Sequence, residues 1–410
     1  MDILYIVPYV PNGIRVRPYQ LIKVLGRLGH RVTVFTLWTE ESERDDAEAL
    51  EGHCYRLMAL YMPRWQSFWN CLRAFPGRAP LQAVYSWNPK LANQIENVLE
   101  SNADTHFDVT HIEHLRGVHY GLHIQSRYHE MPVVWDSVDC ISYLFSQASA
   151  QSRSIFGRLI TQLDLGRTRY YEGNRSGNFD RVLVTSSVDR QAILDLVPEK
   201  AEKPSISVVP NGVDLEYFYP GEVSEREAAT VVFSGKMSYH ANVTMALYLA
   251  NEIMPHVWEN CPEAKLIIAG KDPPSNILAL QQNPAITITG TVKDIRPYLR
   301  GASVAAVPLI YGAGMQNKVL EAMACGTPVV ATPRAVSSLQ VQVGRDVLVA
   351  EDATDFAENV LRLIENPVYQ RRVGEAGRKY VEEHHQWESV GVLLEGIYHE
   401  VINAKLRNTG

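Results

Sequence analysis

Two doubly wound α/β domains, each built on a parallel sheet, are predicted for this 410-residue chain. Short β-rich runs alternate with longer amphipathic stretches from end to end, the pattern of strand–helix–strand units. The pattern restarts near residue 229, which favours two sheets over one eight-fold barrel. Between the halves, Lys200–Gly221 concentrates the breakers Pro204, Pro210, Gly212, Pro220 and Gly221, and reads as a hinge. The expected division is an N-terminal domain over 1–204, a C-terminal domain over 205–384, and a last helix over 385–410 that crosses back to the first domain.

Element by element, Ile3–Val7 is the first strand, and Arg17–Leu28 carries Leu21, Val24, Leu25 and Leu28 at helical spacing. Gly29-His30 stops that helix and Arg31–Thr36 forms the second strand. Val109–Ile112, Val133–Trp135 and Val182–Thr185 are further strands. In the second half the strands are Val231–Gly235, Lys265–Gly270, Ile286–Ile288, Val304–Val307, Pro328–Thr332 and Val347–Val349, with a helix over Val243–Val257. Gln386–Leu406 is the closing amphipathic helix, and His384-His385 before it reads as a helix-end surface pair.

Composition narrows the functional classes. The chain is 46% hydrophobic and 21% charged, with a net charge of −7, which argues against a nucleic-acid surface as its main business. Five scattered cysteines without a C-x-x-C argue against a disulfide scaffold or zinc cage, and fit a reducing cytoplasm. The opening Met1–Pro8 lacks the basic start and long apolar run of a signal peptide, and no apolar run approaches about 20 residues. A soluble cytoplasmic protein is the expectation. Arg64–Arg78 stands apart: Trp65, Phe68, Trp69, Leu72 and Phe75 recur at helical spacing between Arg64, Arg73 and Arg78. Two readings are open for it, a core-facing helix and an interfacial helix touching anionic lipid or a lipid-linked acceptor.

Ligands of open α/β sheets bind outside the carboxyl ends of the strands, which directs attention to the loops there. After the first strand, Gly13 sits in a tight turn that lets backbone N–H groups approach a phosphate, but the G-x-G-x-x-G of a nicotinamide enzyme is missing. Gly235 and Lys236 follow Val231–Ser234, where an ammonium can meet a diphosphate as a point charge. The richest stretch is Pro308–Thr332. Gly314, Met315, Gln316 and Asn317 lead into a helix whose first turn carries Lys318, with Glu321 three residues on and on the same face. Backbone N–H groups and Lys318 suit a diphosphate, and Glu321 suits two ribose hydroxyls. His111-Ile112-Glu113-His114 has metal-like spacing, but within a strand i and i+3 point to opposite faces, so no metal site is expected.

These residues resemble the group 1 (family 4) retaining glycosyltransferases, of the GT-B fold with two Rossmann-like domains facing across a cleft. The resemblance rests on Gly29–Val34, Val209–Asp214, Gly290-Thr291-Val292 and the K-V-L-E-A-M-A-C-G-T-P-V-V-A run from Lys318, and spans 1–405. Gly235–Tyr239 and Gln316–Met323 are similar to sugar transferases of bacterial exopolysaccharide clusters. The resemblance implies a nucleotide-sugar held mostly by the C-terminal domain, with no metal or other cofactor required. It implies that Glu321 holds the ribose, that the loop at Val292 lines the base, and that the family's other carboxylate position falls on Ala313. The family's Arg–Lys pair on the diphosphate falls on Lys236 and Asn242, so one cation is lost and Lys318 compensates. The family's sugar-contacting His falls on Asp136, and Asp139 follows one turn later. Either carboxylate could serve as general base or hold a sugar hydroxyl, and Asp139 could instead cap the next helix.

The expected activity is therefore transfer of a sugar, with retention, from a nucleotide-diphosphate-sugar to a hydroxyl acceptor (glycan, lipid-linked or small molecule) in polysaccharide or glycoconjugate synthesis. An epimerase or phosphorylase of the same fold, and a non-catalytic nucleotide-sugar-binding partner, are the alternatives.

Overall fold

The computed structural model describes residues 1–13, 15–101, 106–151, 155–221, 226–312 and 314–409, leaving aside the side chains of 148–163 and 408–409. It divides into two compact units, one formed by Met1–Pro210 with Trp387–Gly410 and the other by Asn211–Gln386.

Unit 1 holds β1 (Asp2–Val7), β2 (Arg31–Trp38), β3 (Arg56–Tyr61), β4 (Val109–Glu113), β5 (Val133–Val138), β6 (Arg181–Val184) and β7 (Ile206–Val208). All are parallel, in the spatial order β3-β2-β1-β4-β5-β6-β7. Both faces are apolar, as a doubly covered parallel sheet requires. Leu4, Ile6, Phe35, Ile112, Trp135 and Val182 fill one side. Ile3, Tyr5, Val7, Val34, Val134 and Leu183 fill the other. The second side is covered by the helix Val16–Arg27, through Leu21, Ile22 and Leu25, and by the last helix, Trp387–Thr409, through Trp387, Val390, Leu394, Ile397, Tyr398 and Val401. Six such side chains contribute on the order of 10 kcal/mol of gross burial before ordering entropy is subtracted.

Unit 2 holds β8 (Thr230–Ser234), β9 (Lys265–Ala269), β10 (Ile286–Gly290), β11 (Val304–Val307), β12 (Val329–Ala331) and β13 (Leu348–Val349), in the parallel order β10-β9-β8-β11-β12-β13. The expected helix over Val243–Val257 is longer and interrupted: His240–Tyr248 runs into a π-helical turn, Leu249–Ile253, and resumes as Met254–Asn260. Pro255 is the physical reason, because its ring has no N–H and clashes with the carbonyl one turn back. His385 is buried rather than exposed beside His384. Its Nδ1 meets the Asn211 carbonyl at 2.8 Å and its Nε2 meets the Tyr380 hydroxyl at 3.1 Å, tying the two ends of the unit together.

Two strands escape the sequence reading. Edge strand β3 is only half-buried and lacks β-branched residues. Strand β7 is three residues long and lies inside the breaker-rich Lys200–Gly221. The helix Arg64–Ala74 buries only Ser67, so its aromatic side chains do not face the core.

Candidate functional site

In each sheet the strand order reverses beside the first strand, between β1 and β4 in unit 1 and between β8 and β11 in unit 2. Crevices at the carboxyl ends of such strands are where open α/β sheets take ligands.

The unit 2 crevice is built from two glycine turns, an amide and an ammonium. Gly235, at the end of β8, has φ 154°, and Gly270, at the end of β9, has φ 154°. A Cβ on Gly270 would lie 1.8 Å from the Gly235 carbonyl oxygen, and one on Gly235 would lie 2.7 Å from the Asn242 amide nitrogen. Both positions therefore demand glycine. The Asn242 amide donates to the Lys236 carbonyl at 2.9 Å and accepts from the Lys318 ammonium at 2.6 Å. Asn242 is thus an amide that aims a cation. Lys318 rides the first turn of the helix Asn317–Ala324 with its ammonium 5.3 Å from the Phe233 ring centroid. Among the described residues it makes no ion pair. Burial pulls the Lys318 amine down to about 8, with Glu321 opposing the shift, while burial raises the Glu321 carboxyl and Lys318 opposes that.

The remaining sequence candidates in this unit are dispersed around that core. Gly314, Gln316 and Asn317 are half-buried and Met315 is buried, on the approach to the helix. Asn317 accepts from the Asn211 amide at 3.1 Å. Lys236 is exposed on the turn, and Val292 is half-buried just past edge strand β10. Ala313 lies outside the described residues. One contact that the sequence did not signal is the Tyr311 hydroxyl, which meets Thr244 Oγ1 at 3.2 Å and His240 Nδ1.

In unit 1 the structure separates Asp136 from Asp139. Asp136 was expected to be open at the strand end, but it is fully buried. Arg17, in the first turn of the helix after β1, donates to its Oδ2 from Nε at 2.9 Å, and a terminal nitrogen of the same guanidinium completes the ion pair at 2.8 Å. The same guanidinium reaches the Val209 carbonyl at 3.0 Å. Arg17 was missed although its place on the apolar stripe ahead of Leu21, Val24 and Leu25 marks it as inward-facing. Asp136 is thus held as a structural partner of a buried cation, which removes it as a free base.

Asp139 takes the opposite course. A bulge separates Asp136 from Val138, and Val138 has φ 68°, a conformation a β-branched residue adopts only under constraint. Beyond it Asp139 is half-buried and accepts from Thr185 Oγ1 at 3.1 Å. It does not cap the next helix. Asp189 accepts from the Cys140 N–H at 2.9 Å, and Glu172 accepts from Ile141 and Ser142 at 2.8 and 3.1 Å. Burial, then the nearby Asp189, push the Asp139 carboxyl up to about 7.

The His111–His114 motif resolves differently from its spacing. His111 and Glu113 share one face of β4, while His114 turns the chain into the next helix at φ 61°. His111, Glu113 and Asp136 bring three ligand atoms within 4.8 Å of one another. Each is already engaged: Glu113 by Tyr5 at 2.9 Å, His111 Nδ1 by Tyr398 at 2.8 Å, and Asp136 by Arg17. Arg17 supplies the positive charge that a metal ion would bring. Burial holds the His111 imidazole down at about 4, so it is neutral, and raises Glu113 to about 7. Above this layer the Arg116 guanidinium sits between the Tyr85 and Tyr9 rings, 5.3 and 5.9 Å from their centroids, without an ion pair among the described residues. Gly13 is exposed on the loop after β1.

A pair of doubly wound sheets, each with a crevice at its switch point, is an architecture that takes nucleotide-linked groups. Residues 11–217 match the model of glycosyltransferase family 4, and residues 228–366 match that of the group 1 glycosyl transferases, so this chain belongs to glycosyltransferase family 4. The MMP alpha-(1->4)-mannosyltransferase of Mycolicibacterium hassiacum is 26% identical over 227 residues, 53% of this chain and 54% of that one. The chain spans about half the length of the curated relatives it matches first. The sucrose-phosphate synthase of Thermosynechococcus elongatus superposes with a TM-score of 0.71 at 19% identity, over 98% of this chain and 100% of that one. Anabaena HepE, solved with UDP and glucose, gives 0.68 at 13% over the same shares. The fold is GT-B. Among the described residues, no helix is long and apolar enough to cross a membrane.

Proposed function

We propose that the chain transfers a sugar from a nucleotide-diphosphate-sugar to a hydroxyl acceptor, with retention at the anomeric carbon, in polysaccharide or glycoconjugate synthesis. The observation that carries the reading is the Lys318 ammonium, aimed by Asn242 beside Gly235 and, among the described residues, in no ion pair. A diphosphate supplies the missing negative charge. Lys318, Lys236 and the N-terminus of the helix Asn317–Ala324 then hold the leaving nucleotide, where the largest charge develops as the glycosidic bond breaks. Glu321 takes the ribose hydroxyls, and Val292 borders the base. The missing carboxylate at Ala313 leaves the sugar's hydroxyls to backbone groups around Gly312–Met315.

On the acceptor side, Asp139 is the carboxylate we assign to the acceptor hydroxyl, a role supported by a proton affinity suited to work near neutrality. The leaving phosphate is the other destination for the acceptor's proton. The acceptor is a hydroxyl of a glycan, a small molecule or a lipid-linked sugar, and the reaction needs no metal.

Calorimetry with a panel of nucleotide-sugars, UDP-glucose and GDP-mannose among them, tests the donor. NMR of the product's anomeric configuration tests retention. Turnover of donor with no acceptor would assign an epimerase instead, and tight donor binding without turnover over every acceptor would make the chain a non-catalytic partner. Absence of binding to any nucleotide-sugar refutes the reading.

A further inference from the structure

The helix Arg64–Ala74 turns an aromatic stripe outward. Trp65, Phe68, Trp69 and Leu72 fall at i, i+3, i+4 and i+7, Phe75 continues the face, and all five are between 48% and 65% exposed. A contiguous apolar surface of this kind on a soluble fold marks an interaction site. Its charged frame is mainly basic, with Arg64 paired to Glu40. Residues 52–95 contain Arg56, Arg64, Arg73, Arg78 and Lys90 and no Asp or Glu, in a chain whose net charge is −7. Among the described residues Arg73 and Arg78 make no ion pair. Arg78 lies 5.3 Å from the exposed Tyr170 ring, and Arg167 lies 5.2 Å from Phe75 while donating to its carbonyl at 2.6 Å.

We propose that this helix lies in the interface plane of an anionic bilayer, with Trp65, Phe68, Trp69, Leu72 and Phe75 among the headgroups and upper acyl chains, and Arg73, Arg78 and Arg167 on lipid phosphates. Tryptophan and arginine on one ridge suit the headgroup layer, which offers apolar and anionic contacts at once. A second copy of this chain is a poorer occupant. A two-fold pairing of the face brings two copies of the same basic ridge together, and like charges brought together are costly. The docking is independent of the transfer reading and survives its failure.

Sedimentation of the full chain with vesicles of phosphatidylcholine, with and without phosphatidylglycerol, tests the proposal. The chain is expected to pellet with the anionic vesicles, less so as salt rises, and brominated lipid is expected to quench its tryptophan emission. Trp65→Ser with Phe68→Ser and Trp69→Ser should weaken binding by about tenfold or more, since three apolar side chains leave the bilayer. Arg73→Glu with Arg78→Glu should abolish the preference for anionic lipid, and serves alone if the aromatic variant misfolds. Donor calorimetry on both variants should match the wild type, because none of these residues lies in unit 2. A wild type that stays in the supernatant with anionic vesicles overturns the proposal, as does an aromatic variant that pellets like the wild type. A dimer that the aromatic substitutions dissociate, without vesicle binding, overturns it in favour of self-association.

Discussion

Replacing Lys318 by Met tests the donor site most directly, because it keeps an unbranched stem of nearly the same length and removes the ammonium with its charge and its donated hydrogen bonds. The ammonium is aimed by Asn242 at 2.6 Å and, among the described residues, makes no ion pair, so its charge is available to a diphosphate. A charge-assisted hydrogen bond to a phosphate oxygen contributes about 1.5–3 kcal/mol. The ammonium's desolvation is already met in the free protein, where burial has lowered it to about 8, so little further cost falls on binding. Lys318→Met is expected to weaken binding of the nucleoside diphosphate by about 30-fold, near 2 kcal/mol. The sign of the pH dependence follows from the same shift. Below about 8 the amine is charged and ready; above it, binding must draw a proton from solvent, so the wild-type Kd rises by about tenfold per pH unit. The Met variant loses that slope. Isothermal calorimetry between pH 7 and pH 9.5, in buffers of different ionisation heat, reads both the affinity and the proton uptake. An unchanged Kd in the variant, or a slope that persists in it, refutes the role given to Lys318.

Three other outcomes follow from the structure. Glu321→Ala should raise the donor's Kd by about tenfold, near 1.4 kcal/mol, with less effect on a ligand lacking the ribose hydroxyls, as read by the same calorimetry. In the wild type, activity should climb through about pH 7 as Asp139 loses its proton; Asp139→Asn should flatten that limb of the kcat/KM profile and lower the plateau by about 100-fold. Arg17→Leu strands the buried Asp136 carboxylate and should cost unit 1 about 3–5 kcal/mol in urea unfolding, most of which Arg17→Leu with Asp136→Leu recovers.

Most strands were legible because a parallel sheet buried on both faces writes itself as short runs of Val, Ile and Leu. The sequence signal fades where burial does, at β3, and where a strand is too short for periodicity, at β7. The donor-side residues were legible singly, since glycines, a lysine and a glutamate around a helix start have an obvious chemistry. Their coupling was not: Asn242 and Lys318 stand 76 residues apart, and only the order β8-β11 brings them together. Asp136 shows the same limit more sharply. Its carboxylate is the right group at the end of the right strand, yet its fate is decided by Arg17, 119 residues away. Asp139 could be read equally as a cap or as a functional acid until Asp189 and Glu172 were seen to take the helix N–H groups. For Arg64–Arg78 periodicity announces an amphipathic helix, but not which side turns inward.

The two sheets share the order that places a switch point beside the first strand, and they use that point in opposite ways. In unit 1 the first turn of the helix after β1 projects Arg17 into the crevice, where Asp136, the Val209 carbonyl and the nearby Glu113 charge meet it from within the chain. The charge that would have drawn a phosphate is spent on the fold. In unit 2 the corresponding strand end carries Gly235, whose lack of a side chain lets the backbone lie against Asn242, and the cation comes instead from the helix after β11. That cation meets an amide rather than a carboxylate. A neutral partner fixes the direction of the ammonium without consuming its charge, so the free protein holds an oriented cation that only an anionic ligand can complete. Exchanging the amide for a carboxylate would give unit 2 the self-satisfied state that unit 1 already has. Asn242→Asp should therefore weaken diphosphate binding more than Asn242→Ala, although aspartate is the closer match in shape.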